Sequence, residues 1–156
     1  MIILGIDPGT ARVGWGIIEK NSRNLSLVKS GWITTKKNLP LQDRLFEIYN
    51  TLLKIIKKNK PNSVACEEIF FFKNLKTAIA VSHARGVILL AVKKSGLPFF
   101  EYTPLQIKQA LTGFGRAEKI QVQKMVKVIL KLRDIPKPDD MADALACAIC
   151  HAHSIK

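Results

Sequence analysis

Three features of the sequence predict an α/β fold on a five-stranded mixed sheet flanked by helices. Apolar runs of strand length cluster early, helical periodicity dominates later, and the last two strands are each reached through a helix, as βαβ crossings require. Length agrees, since 156 residues suit one domain covering residues 1–156. A chain of that size buries roughly 68–70% of its unfolded surface.

The first strand is the apolar run Ile2–Ile6, stopped by Asp7-Pro8-Gly9-Thr10. Val13–Ile18 continues as a second strand and Leu25–Thr35 as a third, across a turn at Asn21–Asn24. Connections this short make an antiparallel meander. Leu45, Ile48, Leu52 and Ile55 recur at helical spacing within Leu41–Lys58, and Pro61 lies beyond the end. Val64, Ala65 and Cys66 mark a fourth strand that runs into Glu67-Glu68. The helix expected over Leu75–Lys94 is apolar around much of its circumference, so it is either central or part of a subunit interface. Gly96-Leu97-Pro98 leads into a fifth strand, Phe99–Tyr102. A short helix, a loop at Gly113–Gly115, a helix over Glu118–Leu132, a break at Pro136 and Pro138, and a last helix from about Asp140 complete the path.

Charge narrows the function. Lys and Arg total 25 against 12 Asp and Glu, a net +13. The excess is spread evenly: 13 basic against 6 acidic side chains in residues 1–78, and 12 against 6 in residues 79–156. A broad cationic surface points to a polyanionic partner, with a merely solubilising surface as the alternative. No run approaches the ~18 apolar residues of a membrane span, and no membrane partner is expected. The start, MIILGIDPGT, lacks the basic segment and long apolar core of an export signal. Cys66, Cys147 and Cys150 are an odd, sparse set, so a reducing cytoplasm is the expected setting.

In so basic a chain the acids carry information. Asp7 and Glu67 close apolar strands, and Asp140 and Asp143 stand one turn apart on one helix face. The carboxyl ends of neighbouring parallel strands are where an α/β sheet opens its crevice. Such a cluster is self-repelling unless a hard divalent cation sits within it, and two such ions are the recurrent device for phosphodiester cleavage. Singly, each acid has a plainer reading: Asp7 as a turn residue, Glu67 and Glu68 as an exposed strand end, Asp139 or Asp140 as a helix cap. Their joint occurrence favours a metal-dependent nuclease.

Five segments together, Ile3-Leu4-Gly5-Ile6-Asp7-Pro8-Gly9-Thr10, Cys66-Glu67-Glu68-Ile69-Phe70, Ala84-Arg85-Gly86, Ala117-Glu118-Lys119 and Asp140-Met141-Ala142-Asp143-Ala144-Leu145-Ala146, resemble the bacterial RuvC Holliday-junction resolvases along nearly the whole chain. The resemblance implies a ribonuclease-H-like fold, a homodimer, and magnesium-dependent symmetrical nicking of four-way DNA junctions in homologous recombination and repair. It places the acidic tetrad, catalytic and metal-binding, on Asp7, Glu67, Asp140 and Asp143. Two magnesium ions are implied, with manganese as a substitute, giving 5′ phosphate and 3′ hydroxyl ends. Phe70 matches an aromatic that stacks on a base, and Arg85, Lys108 and Lys119 match residues that serve the DNA. A RuvA–RuvB branch-migration motor is the implied partner. The doublets Glu67-Glu68 and Asp139-Asp140 leave each ligand ambiguous by one residue. The family's spacing, Glu-x-x-Phe and Asp-x-x-Asp, selects Glu67 and Asp140. Within Phe70-Phe71-Phe72, the latter two are stacking or core.

Other features carry less. Cys147-Ala148-Ile149-Cys150-His151 fits a haem-attachment pattern, but Asp143, Cys147 and His151 continue one helical face, so packing accounts for the spacing. Lys124, Lys127 and Lys131 form a basic stripe opposite Val122, Val126 and Ile129, either tracking phosphates or facing solvent. The helix over Leu75–Val92 is the expected dimer interface. A nucleotide-dependent phosphotransferase is a rival reading, but the chain has no G-x-x-x-x-G-K-[ST] loop.

Overall fold

In the computed structural model, residues 1–22, 24–68 and 75–155 are described. Over them the chain runs β1 (Ile2–Asp7), β2 (Arg12–Asn21), β3 (Asn24–Thr34), α1 (Leu41–Asn59), β4 (Ser63–Glu67), α2 (Leu75–Lys94), β5 (Phe99–Tyr102), α3 (Pro104–Thr112), α4 (Lys119–Ile129) and α5 (Asp139–Ser154). The strands form one sheet in the order β3-β2-β1-β4-β5. The meander β1-β2-β3 is antiparallel, and β4 and β5 add in parallel on the other side of β1. The mixed five-stranded sheet expected from the sequence is the sheet observed.

Alternation along the strands supplies two cores. Leu4, Ile6, Val13, Trp15 and Ile17 point to one face, where Ile48 and Leu52 of α1 and Ile88 and Ala91 of α2 cover them. Ile3, Ile18 and Ala65 point to the other, under α3, α4 and α5. The central strands β1, β2 and β4 are therefore buried on both sides, which explains their nearly continuous apolar runs.

The approach of α5 to the sheet decides where the acids go. A Cβ on Gly5 would overlap the Ala144 carbonyl oxygen, and one on Gly14 would overlap the Asp140 carbonyl oxygen. These strand glycines let the helix backbone lie directly on β1 and β2. The helix contributes small side chains in turn, with Ala142, Ala144, Ala146 and Ala148 all buried.

Two expectations need adjusting. The helix expected to reach Leu132 ends at Ile129, because Leu130 caps it and Lys131 adopts φ 53°, a left-handed conformation that cannot continue a helix. Lys131 thus leaves the stripe begun by Lys124 and Lys127. The helix α2 is neither wholly central nor wholly exposed: Ala84, Ile88, Ala91 and Val92 are buried, whereas Ile79 and Leu90 are 52% and 60% exposed. Among the described residues, no helix is long and apolar enough to cross a membrane.

Candidate active site

Parallel pairing sets the first two acids side by side. Ile6 lies opposite Cys66, so the next residues, Asp7 and Glu67, leave the adjacent ends of β1 and β4 together. Across the sheet Asp7 faces Gly14, and Gly14 is where the first turn of α5 touches down, at the Asp140 backbone. Asp143 follows one turn later. The N-terminal end of a helix favours negative charge, which eases the crowding of Asp139 and Asp140 there.

The electrostatics are those of a site short of cations. Burial raises the Asp7 pKa well above the ordinary carboxylate range, and the charges of Asp143, Glu67 and Asp140 raise it further. Glu67 is raised by burial and then by Asp143, with Lys119 and Lys108 pulling the other way. Burial also raises Asp143, against the opposing hydrogen bond and charge of Lys119. Two basic side chains relieve part of the strain. Arg12 Nη1 donates to Asp140 Oδ2 at 2.9 Å, and Lys119 Nζ donates to Asp143 Oδ2 at 2.8 Å while lying 3.4 Å from Asp139. Burial opposes the Lys119 charge, yet its bonds to Asp143 and Asp139 raise its pKa overall. Among the described residues, no three Asp, Glu, Cys or His side chains are drawn together closely enough to grip one ion. Arg12 and Lys119 each bond Oδ2 of their carboxylate, so a shared ion would draw on the Oδ1 atoms of Asp140 and Asp143.

Recesses run along this carboxyl edge. A cavity of ≈ 260 Å³ is walled by Glu67, Asp143, Lys108 and Lys119 with Pro104, Ile107, Val122 and Ala146. Glu67 also walls a recess of ≈ 160 Å³ shared with Asp7, Pro8, Glu68 and Val81. Beyond Val81, a third of ≈ 590 Å³ holds Arg12, Thr10, Lys37 and Asp140. Lys108 and Lys119 are positioned by local capping. Thr103 and Gln106 exchange hydrogen bonds at the start of α3, and Gln121 Oε1 accepts from the Glu118 amide just before Lys119 opens α4.

This arrangement has known counterparts. The chain matches the family model described as crossover junction endodeoxyribonuclease RuvC over residues 3–151. A protein of that description from Pelotomaculum thermopropionicum is 57% identical over 153 residues, 98% of this chain and 93% of the relative. The chain belongs to the RuvC family. Thermus thermophilus RuvC superposes with TM-score 0.90 at 36% identity, covering 98% of this chain and 94% of that one. Thermus RuvC in complex with Holliday junction substrate gives 0.93 at 37%, covering 99% and 94%. The RuvC fold is ribonuclease-H-like, and so is this chain's.

The remaining site residues of this RuvC-family chain divide. Lys124 is exposed and Lys127 half-buried on α4, and neither is among the cavity-lining residues named above. Arg85 bonds Glu101 on β5 through Nε (3.0 Å) and its terminal nitrogen, so its guanidinium is engaged within the fold. Phe70, Phe71 and Phe72 lie outside the described residues. Sequence reasoning missed Arg12, whose pairing with Asp140 spans 128 positions and leaves no local pattern. The glycines under α5 were a readable signal: Gly14 and Gly16 recur at strand period, and Gly16 pairs with Gly5. As for the cysteines, all three are free and buried, and His151 bonds Ser63 and Tyr102.

Proposed function

We propose that this chain resolves four-way (Holliday) DNA junctions in homologous recombination and repair. It makes paired, magnesium-dependent nicks that leave 5′ phosphate and 3′ hydroxyl ends. One observation carries the reading: two parallel strand ends and the first two turns of a helix bring Asp7, Glu67, Asp140 and Asp143 to one edge of a chain whose net charge is +13. The junction-bound Thermus relative, similar over nearly the full length, supports the substrate.

The donor set fits a hard divalent cation. It is oxygen only, and the raised pKa values of Asp7, Glu67 and Asp143 mean that the carboxylates hold their charge poorly unless countered. We assign all four as ligands of two magnesium ions, with manganese as a substitute. When bound, such ions supply an activated water and stabilise the leaving 3′ oxygen. Lys119 orients Asp143 and, with Lys108 across the cavity, meets the charge of the scissile phosphate. Paired cutting needs two sites related by a two-fold axis, as in a homodimer. The exposed Ile79 and Leu90, on one face of α2, support an interface there. Delivery of the junction by a RuvA–RuvB motor belongs to the same reading.

A labelled synthetic junction, compared with a linear duplex in magnesium and in calcium, tests this function. Symmetrical nicks on opposed strands of the junction in magnesium alone are expected, with binding but no cutting in calcium. Tight binding without cutting in magnesium would make the chain a silent binding module and overturn the reading.

A further inference from the structure

We infer that Phe114 is an aromatic contact for a nucleotide of the DNA beside the carboxylate cavity, an inference that rests on the proposed nuclease reading. Phe114 sits in the loop between α3 and α4 with 58% of its surface exposed. Its backbone, by contrast, is pinned. The Phe114 amide donates to Thr112 Oγ1 at 3.1 Å, and the Phe114 carbonyl accepts from the buried Ala117 amide at 3.0 Å. On either side, the Thr112 hydroxyl lies 2.8 Å from the Lys108 carbonyl oxygen, and Gln109 Nε2 donates to the Gly113 carbonyl at 2.9 Å. Gly113, at φ 73°, supplies the left-handed turn that starts the loop. The loop then lies against α3, with Gly115 packed on Leu105.

A rigid loop that holds an aromatic ring in water has not been shaped by core packing. Single exposed apolar residues are ordinary, but Phe114 has company: Leu105 is 61% and Ile120 44% exposed at the adjoining helix starts. Along the chain these side chains alternate with cations. Lys108 lies one turn beyond Leu105, Arg116 two residues after Phe114, and Lys119 next to Ile120. Lys108 and Lys119 also wall the cavity that holds Glu67 and Asp143. Apolar surface set among phosphate-binding charges is complementary to a nucleotide, whose base or sugar face stacks while its phosphates pair with the cations. The loop would fix the strand's path as it leaves the cavity.

The test uses the full chain, a labelled four-way junction in calcium, and affinity measured across a salt series. Phe114→Ala should weaken binding about five-fold or more at every salt concentration, from lost stacking. The slope of log Kd against log salt should be unchanged, because no phosphate contact is removed. Phe114→Tyr should restore the affinity, and Arg116→Ala should instead flatten the slope. Wild-type affinity in Phe114→Ala overturns the inference, as does a change in slope, which would mean that the loop had collapsed and displaced its cations. If the wild-type chain neither binds nor cuts junctions, it is the nuclease reading that fails.

Discussion

At the residue scale, Asp7 is the group most at odds with its surroundings. It is half-buried at a strand end, where the charges of three other carboxylates act on it. Asp7→Asn removes the repulsion without removing volume, so in metal-free buffer the melting temperature should rise, although junction cutting is lost. A lower melting temperature in calorimetry would mean that Asp7 makes a favourable contact in the metal-free chain. Glu68→Gln and Asp139→Asn test the doublets, and each should cut within about three-fold of wild type if its neighbour is the ligand. A loss of a hundredfold or more in either would move the assignment by one residue. The scarcity of acids singled out Asp7, Glu67, Asp140 and Asp143, because two of them close strands and the other two lie near the start of a helix. The partners Arg12 and Lys119 were not equally legible. Lys119 came from a resemblance, and Arg12 pairs with Asp140 only through the three-dimensional path.

At the scale of elements, α5 links the site to the sheet. Its start rests on Gly14, so Gly14→Ala forces the Asp140 backbone away. Overpacking of this kind costs about 1–3 kcal/mol, and cutting should fall along with the denaturation midpoint. An active variant of undiminished stability would show that the close approach is dispensable. The other end of α5 is tied by His151, whose Nε2 lies 3.0 Å from Ser63 Oγ on β4 and whose Nδ1 lies 2.7 Å from the Tyr102 hydroxyl on β5. Burial, and then the charge of Lys20, lowers the His151 pKa from its ordinary 6.5. The unfolded chain therefore binds the proton more readily, and stability is complete above 6.5 and lost as pH falls below it. Thermal melts between pH 5 and 8 should show this decline in wild type and a smaller one in His151→Gln. Equal declines would exclude the imidazole as the cause. Strand and helix identities were readable because periodicities of two and 3.6 are local. The end of α4 was not, since a left-handed Lys131 carries no turn residue to announce it.

Across the whole molecule, charge +13 and a carboxylate-lined edge have separate tasks. The basic surface gathers phosphates, and junction affinity should fall steeply with salt in wild type and in every ligand variant alike. On the proposed reading the acids contribute to cutting and little to binding. The α/β class, the sheet and its crevice followed from the order of elements. The contact proposed for Phe114 did not, because Lys108 of α3 and Lys119 of α4 wall one cavity only when the two helices pack together. Four acids from three elements are proposed to act as one metal site. Cutting of a labelled junction in magnesium by Asp7→Asn, Glu67→Gln, Asp140→Asn and Asp143→Asn, with binding measured in calcium, tests it most directly. Each variant should lose cutting by roughly a hundredfold or more while still binding the junction. Wild-type cutting by any one of the four would contradict the shared site.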